Sequence, residues 1–302
     1  MQLPYSPPNT LDTMMASGQN NIQSPNAGIR FLSRAMEPQF LADTDVVPTL
    51  DGAAQLSVAG GVQASALAVA SAPARAVQDH LSLTTNVGQK GTSLHADGLD
   101  VWMQVLYGAR TTRDFGAGSL DFGYDTDFSG VILGSDYSFE LGSGTGRLGL
   151  ALNVGNGNTR SHGDFNTTEN EFDFWGISLY GGWNCNNINL IADLGYSAAE
   201  NELEQKIPAS LDMGGRIRAD VDSEVITAGV KGEYRIETSP LDIVPHAGVR
   251  YLAVRTDSFT SKLNEGDLFH TDSDLQHIWQ FPIGVTLSKT FETESGWQVK
   301  PQ

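Results

Sequence analysis

Asp193, Lys231, Glu233, His246 and Arg250 are the residues whose types suit acid–base work, and all five fall on the polar side of alternating segments. A carboxylate beside an imidazole would fit general acid–base hydrolysis. That chemistry also needs a nucleophile, and the chain has no G-x-S-x-G elbow. Opposite charges sharing one face are expected to form a structural ion-pair network instead, so no catalytic residue is assigned. The other histidines, His80, His95, His162, His270 and His277, lack the spacing of a metal motif such as H-E-x-x-H, and no metal ligand is assigned. The run GSGTGRLG (142–149) lacks the GK[ST] ending of a phosphate loop and reads as a turn, so no cofactor is expected. Cys185 is the one cysteine, which excludes an internal disulfide framework and a Cys-rich zinc module.

These residues need elements to carry them, and the carrier is a period-2 pattern that begins near Leu99. In RLGLALNV, Leu148, Leu150, Leu152 and Val154 oppose Arg147, Gly149, Ala151 and Asn153. Leu190 and Leu194 oppose Ile191, Asp193 and Gly195. Ile226 and Val230 oppose Thr227, Gly229, Lys231 and Glu233. Val249 and Tyr251 oppose His246, Gly248 and Arg250. Phe281, Ile283 and Val285 oppose Gln280, Gly284 and Thr286. Similar runs begin near Leu99, Phe128 and Phe172, placing Gln104 and Ser178 among the polar positions. The pattern predicts about eight strands of about ten residues, with a ninth starting at Trp297; that is the length a tilted strand needs to cross a bilayer.

The two faces differ in a telling way. The polar side is Gly, Ser, Asn and scattered charge, which suits a crowded aqueous lumen better than open solvent. We assign Gln104, Asn153, Ser178, Asp193, Lys231, Glu233, His246 and Arg250 to the lumen. Leu148, Leu150, Leu152, Leu190, Leu194, Val230, Val249, Phe281, Ile283 and Val285 are assigned to lipid. Apolar faces carrying Tyr107, Tyr137, Trp183, Tyr196, Tyr234, Tyr251 and Trp279 resemble interfacial girdles. Links near 111–126, 158–170, 199–219 and 256–274 read as long loops. Those near 140–146, 184–187, 237–240 and 292–296 read as short turns. Such alternation predicts extended loops outside and tight turns on the periplasmic side. A charge at Leu150 should be costly, and a change at Asn153 tolerated.

Composition narrows the function further. Asp and Glu outnumber Lys and Arg 36 to 18, for a formal charge of −18, so a phosphate backbone would be repelled and no nucleic-acid partner is expected. Upstream of the strands, 49–83 is dense in Ala, Ser and Gly and reads as helix, with Asp51 in its first turn and Pro73 expected to kink or divide it. Its apolar stretch, Val58 to Ala76, has too few large side chains for a spanning helix. MQLPYSPPNT has neither a basic n-region nor an apolar h-region, so either the protein is cytosolic or its export signal lies outside this chain.

VILGSDY (131–137), FWGISLYGGW (174–183), EVITAGVKGEYRI (224–236), DIVPHAGVRY (242–251) and FPIGVTLSKTF (281–291), in that order and spacing, resemble the autotransporter translocator domain of Gram-negative bacteria. IRFLSRAM (29–36), TLDGAAQLSVAGGVQASAL (49–67) and VQDHLSL (77–83) resemble the junction and linker helix before such barrels. The resemblance implies an all-β transmembrane antiparallel barrel, twelve-stranded in the family with about eight to nine strands present here, and an N-terminal linker helix threading the lumen. The corresponding division is 1–48 passenger remnant or junction, 49–92 linker helix and connection, and 93–302 incomplete barrel. The family implies secretion or surface display of the chain's own N-terminal passenger. Implied partners are outer-membrane lipid and lipopolysaccharide, the barrel-assembly machinery and periplasmic chaperones. The residues before the helix would then be extracellular.

Some family members cut themselves at an Asn within the pore helix, but 49–83 contains no Asn, and Asn20-Asn21 precedes it. Inward glycines such as Gly182 and Gly195 are expected to make room for the helix. The chain ends at GWQVKPQ before the family's last strands, so a C-terminally truncated barrel that does not close stably is expected. A porin-like channel, which would have no pore helix, and a barrel-embedded hydrolase are the alternatives. A soluble β-sandwich is a third.

Overall fold

Helix α1 (Leu50–Leu81) precedes a sheet whose strands keep the alternation read from the sequence. The computed structural model describes residues 50–83, 92–117, 120–163, 168–207, 215–238, 242–263, 266–272, 274–288, 291–292 and 298–299. The expected junction, 1–48, and Asn20-Asn21 lie outside them. A short strand, β1 (Thr92–Ala96), turns at Asp97-Gly98 into β2 (Leu99–Ala117), followed by β3 (Leu120–Leu141), β4 (Gly144–Gly163), β5 (Thr168–Cys185), β6 (Ile188–Ile207) and β7 (Gly215–Tyr234). These seven pair antiparallel in chain order. Beyond β8 (Ile236–Glu237), β9 (Asp242–Thr256) pairs with the second half of β7 through Ser223↔Thr256 to Glu233↔His246. The hairpin β10 (Phe259–Leu263) and β11 (Gly266–Thr271) extends the other half of β7. Strands β12 (Asp274–Gln280) and β13 (Ile283–Ser288) run along β9 as one segment interrupted at Phe281-Pro282. The remaining pair, β14 (Phe291–Glu292) and β15 (Gln298–Val299), forms a separate two-stranded sheet.

Among the described residues there are eight segments of crossing length, counting β12 with β13, but β3 to β7 are 18 to 22 residues long rather than ten. The stretches read as long loops near 111–126, 158–170 and 199–219 are in large part paired strand. On β5 the outward residues change from Trp175, Ile177 and Leu179 to Glu169, Glu171 and Asp173. The inward side stays filled throughout, by Thr168, Asn170, Phe172 and Phe174. These outward carboxylates face like charges on β6 (Glu169↔Glu204, Glu171↔Glu202, Asp173↔Glu200), a repulsion that water screens, so pairing outlasts the apolar band. The 256–274 link likewise contains the β10–β11 hairpin. Two-residue turns close the other end at Gly142-Ser143 and Asn186-Asn187, where Gly142 (φ 63°) and Asn186 (φ 52°) take the left-handed conformation that tight hairpins need.

The sheet curls round α1: helix residues touch β2 to β7 and β9. Among the described residues no ladder joins β1 or β2 to β12 or β13, so the sheet is not closed. Pro73 does not divide the helix, which is continuous from Leu50 to Leu81. Val69 and Ala70 before the proline, and Ala74, Ala76 and Val77 after it, are all buried. Packing on both sides of the break offsets the roughly 3 kcal/mol that an interior proline costs. No described helix is long and apolar enough to cross a membrane, a statement that does not concern strands.

Close strand packing depends on small inward residues. Gly176 lies between Asn153 and Ser197 across the two flanking strands. A Cβ there would stand 2.7 Å from the Tyr196 carbonyl oxygen and 2.8 Å from Asn153 Oδ1. Gly176→Ala is therefore expected to destabilise the sheet by about 1–3 kcal/mol, the usual cost of overpacking, checked by urea unfolding of the chain refolded in detergent. A loss under about half a kcal/mol would show that the backbone yields there. Gly182 faces the helix, where a Cβ would meet Leu81 Cδ1 at 3.5 Å, an ordinary van der Waals contact, so the glycine is not required to clear it. At Gly195 a Cβ would meet Thr227 Oγ1 at 2.7 Å, so its space serves the neighbouring strand.

Candidate functional site

The chemistry of this fold is concentrated where α1 meets the sheet. Small side chains let the helix backbone come close to the strands, and polar strand residues reach it directly. Toward the extended hairpins, Asn170 Nδ2 donates to the Gly61 carbonyl (3.4 Å). Ser65 Oγ donates to Asn201 Oδ1 (2.6 Å), and Gln63 Nε2 to Gln276 Oε1 (2.9 Å). Toward the tight turns, Asn189 Nδ2 donates to the Leu81 carbonyl (2.9 Å) and Arg235 Nη2 to the Leu83 carbonyl (2.8 Å). The helix thus runs the length of the concave face, entering among the long hairpins and leaving beside the short turns. Between these polar contacts the helix packs small apolar side chains, among them Ala66, Val69, Ala70, Ala76 and Val77, against strand residues such as Leu106, Ile132 and Val225.

Three charged clusters anchor it. In the first, Arg250 Nη2 donates to Asp193 Oδ1 at 2.8 Å, with both side chains almost wholly buried. The two residues flank Gly229 in the strand register, so the pair closes over a position without a side chain. Gln78 of α1 adds Nε2 to the same Asp193 oxygen at 3.1 Å. In the second, Glu233 accepts from Ser82 Oγ (2.7 Å), the Leu83 amide (2.8 Å), Asn189 Nδ2 (3.0 Å) and Lys231 Nζ (2.8 Å). This carboxylate caps the exit from the helix. The third was not foreseen. His80 Nε2 lies 2.7 Å from Asp136 Oδ2, and the imidazole stacks on Trp102 with centroids 4.4 Å apart. Trp102 Nε1 donates to Tyr180 Oη (2.6 Å), which donates to Asp136 Oδ2 (3.1 Å). Asp100 completes this group.

The residues assigned to the lumen therefore fall into separate settings. Asp193 joins Arg250, and Lys231 joins Glu233. Ser178 is buried opposite Gly195, Gln104 is half-buried, and His246 is half-buried beside Gly284. Asn153 is 2% exposed, not the surface position it was expected to be, and neither of its amide atoms has a hydrogen-bond partner. It sits in register between Ile132 and Gly176. The ten residues assigned to lipid point outward, from Val249 at 37% exposed to Ile283 at 83%. They belong to a continuous apolar exterior that also includes Tyr107, Tyr137, Tyr234 and Trp279. Sequence reasoning missed His80, Asp100 and Asp136 because 20 and 36 residues separate them along the chain and no local spacing marks the set. The one available signal was the Asp at the same inward parity on β2 and β3, paired as Asp100↔Asp136.

The autotransporter beta-domain family model matches residues 101–302. Among solved structures the chain is similar to the translocator domain of autotransporter NalP from Neisseria meningitidis. Identity is 16% and the TM-score 0.55, over 76% of this chain and 72% of that one. It is also similar to the beta domain of the Bordetella autotransporter Brka, at 16% identity and a TM-score of 0.51, over 68% of this chain and 76% of that one. At such identity the likeness concerns the fold. No curated protein matches the chain.

Proposed function

The chain belongs to the autotransporter β-domain family, and from that membership we propose that it is an outer-membrane translocator that secretes or displays its own N-terminal passenger. The observation that carries this reading is the seating of α1 along the concave face, held by polar contacts at both ends, from Asn170 and Asn201 to Asn189 and Glu233, with small apolar side chains packed between. A channel for free solutes would be obstructed by such a helix. A segment that is small-sided, narrow and held at both ends by polar contacts suits a length of chain left in a pore after export.

In this proposal the apolar exterior meets lipid and lipopolysaccharide, and the barrel-assembly machinery and periplasmic chaperones handle the chain before insertion. The tight turns at Gly142-Ser143 and Asn186-Asn187 lie in the periplasm, and the chain before Leu50 lies outside the cell. The geometry supports a role in transport rather than catalysis. Among the described residues the histidine nearest the hydrolase alternative, His246, is not paired with a carboxylate, while Asp193 is held by Arg250.

The test is to express the chain with an added export signal and an epitope tag placed either just before Leu50 or at Ser143. Labelling of intact cells is expected for the first tag alone, with the second labelled only after the outer membrane is permeabilised. The reverse pattern, or neither tag in the membrane fraction, would overturn the proposal.

A further inference from the structure

We propose that His80, Asp100 and Asp136 form a divalent-cation site, of a kind suited to zinc, that fastens the last turn of α1 to the β2–β3 hairpin. One ligand atom from each residue lies within 4.8 Å of those of the other two. Asp100 and Asp136 are direct cross-strand partners, both inward and both buried. Like charges directly opposite one another destabilise a sheet, and burial removes the water that would screen them. The protein side supplies little relief. Asp136 Oδ2 accepts from Tyr180 and meets His80, but Asp136 Oδ1 and Asp100 Oδ1 have no hydrogen-bond partner. Arg147 Nη1 stands 3.8 Å from Asp136 Oδ1, a long ion pair without a hydrogen bond, and no cation is paired with Asp100 among the described residues. Two unpartnered carboxylate oxygens, each on a residue more than nine-tenths buried, thus share a space with an imidazole nitrogen.

A cation answers that arrangement. One nitrogen and two carboxylate oxygens are a donor set for Zn²⁺, with a water as fourth ligand, whereas Ca²⁺ and Mg²⁺ favour oxygen alone. The surroundings orient the donors as outer partners of metal ligands do. Trp102 holds the imidazole plane by stacking and also donates to Tyr180, which in turn fixes the Asp136 carboxylate. Zinc–ligand bonds of roughly 2.0–2.2 Å would require the 2.7 Å contact between His80 Nε2 and Asp136 Oδ2 to open by about half an ångström, within reach of side-chain adjustment. The three ligands come from three elements at the edge where the sheet is not closed. The site would therefore hold the plug against the hairpin next to the edge strand β1.

The test uses the full chain refolded in detergent micelles, stripped with chelator and titrated with zinc chloride, with bound metal counted by elemental analysis. The wild type is expected to bind one equivalent more than either Asp100→Asn or His80→Gln, with affinity at that site lowered at least tenfold in the variants. His162→Gln, remote on the outward face, should keep the extra equivalent. As a readout free of variants, zinc is expected to raise the temperature at which the wild-type folded band is lost on unheated gels, relative to chelator. Equal zinc uptake by wild type and Asp100→Asn would overturn the site, as would no thermal shift in the wild type. So would an Asp100→Asn chain more stable than the zinc-loaded wild type, which would mean the carboxylates simply share a proton.

Discussion

Asp193→Ala is expected to cost about 3–5 kcal/mol, the range for breaking a buried ion pair by removing one partner. Its carboxylate is the counter-charge of Arg250, whose guanidinium is buried beneath the helix with Nη1 already lacking a partner. Removing Asp193 leaves that cation desolvated and unpaired, and it also strips Gln78 of its acceptor. Burying the pair is a different matter from breaking it. The double variant Asp193→Leu/Arg250→Met, apolar and of similar volume, is expected to recover most of the loss, since a buried ion pair roughly breaks even against well-packed hydrophobes. Gln78→Ala should cost only about 1 kcal/mol, the net worth of one hydrogen bond. Urea unfolding of the refolded chain, with the folded gel band as a second readout, separates these outcomes. A single variant within 1 kcal/mol of wild type would mean water reaches Arg250 and the pair does not anchor the helix.

Leu150→Arg is expected to cost roughly 2–4 kcal/mol in a bilayer. Leu150 is 54% exposed, with Leu148 and Leu152 on either side along β4 and Leu179 beside it on β5. An exposed leucine in a soluble protein tolerates arginine, so the size of the penalty reports the solvent outside the sheet. Asn156→Arg is the matched control. It is outward on the same strand, six residues along, where β3 and β5 present Ser129 and Asp173. Its cost should stay under about half a kcal/mol, as for ordinary surface changes. Equal effects at both positions would remove the lipid-facing assignment and reopen the soluble sandwich. The control differs from the one the alternation suggests, because Asn153 proves to be buried.

How much was legible in advance divides along physical lines. Period-2 alternation is a local property, so the apolar exterior of Leu148, Leu150, Leu152 and Val154 and the inward parity of Asp193, Glu233 and Arg250 could be read directly. So could the tight turns, because Gly142 and Asn186 are types that accept positive φ at little cost. Strand length could not. A rule that stops a strand where the outward face turns acidic ends β5 near Asp173, but hydrogen bonds to β4 and β6 continue to Glu169. Pro73 misled for a related reason, since propensity describes an isolated helix and this one is braced by the strands around it.

The amino-acid sequence by itself determined the class of the protein: an antiparallel sheet with one wet face and one apolar face, preceded by a helix too small-sided to span a membrane. Those features depend on residue type and neighbour spacing, which the chain states outright. Only the tertiary structure decided which polar residues meet. Asp193 and Arg250 pair because Gly229 leaves a gap between their strands, and Glu233 finds the helix exit from 150 residues away. His80 meets Asp100 and Asp136 because the register of one hairpin and the depth of one helix coincide. Long-range encounters depend on curl, register and helix position together, and no local pattern in the chain encodes that combination.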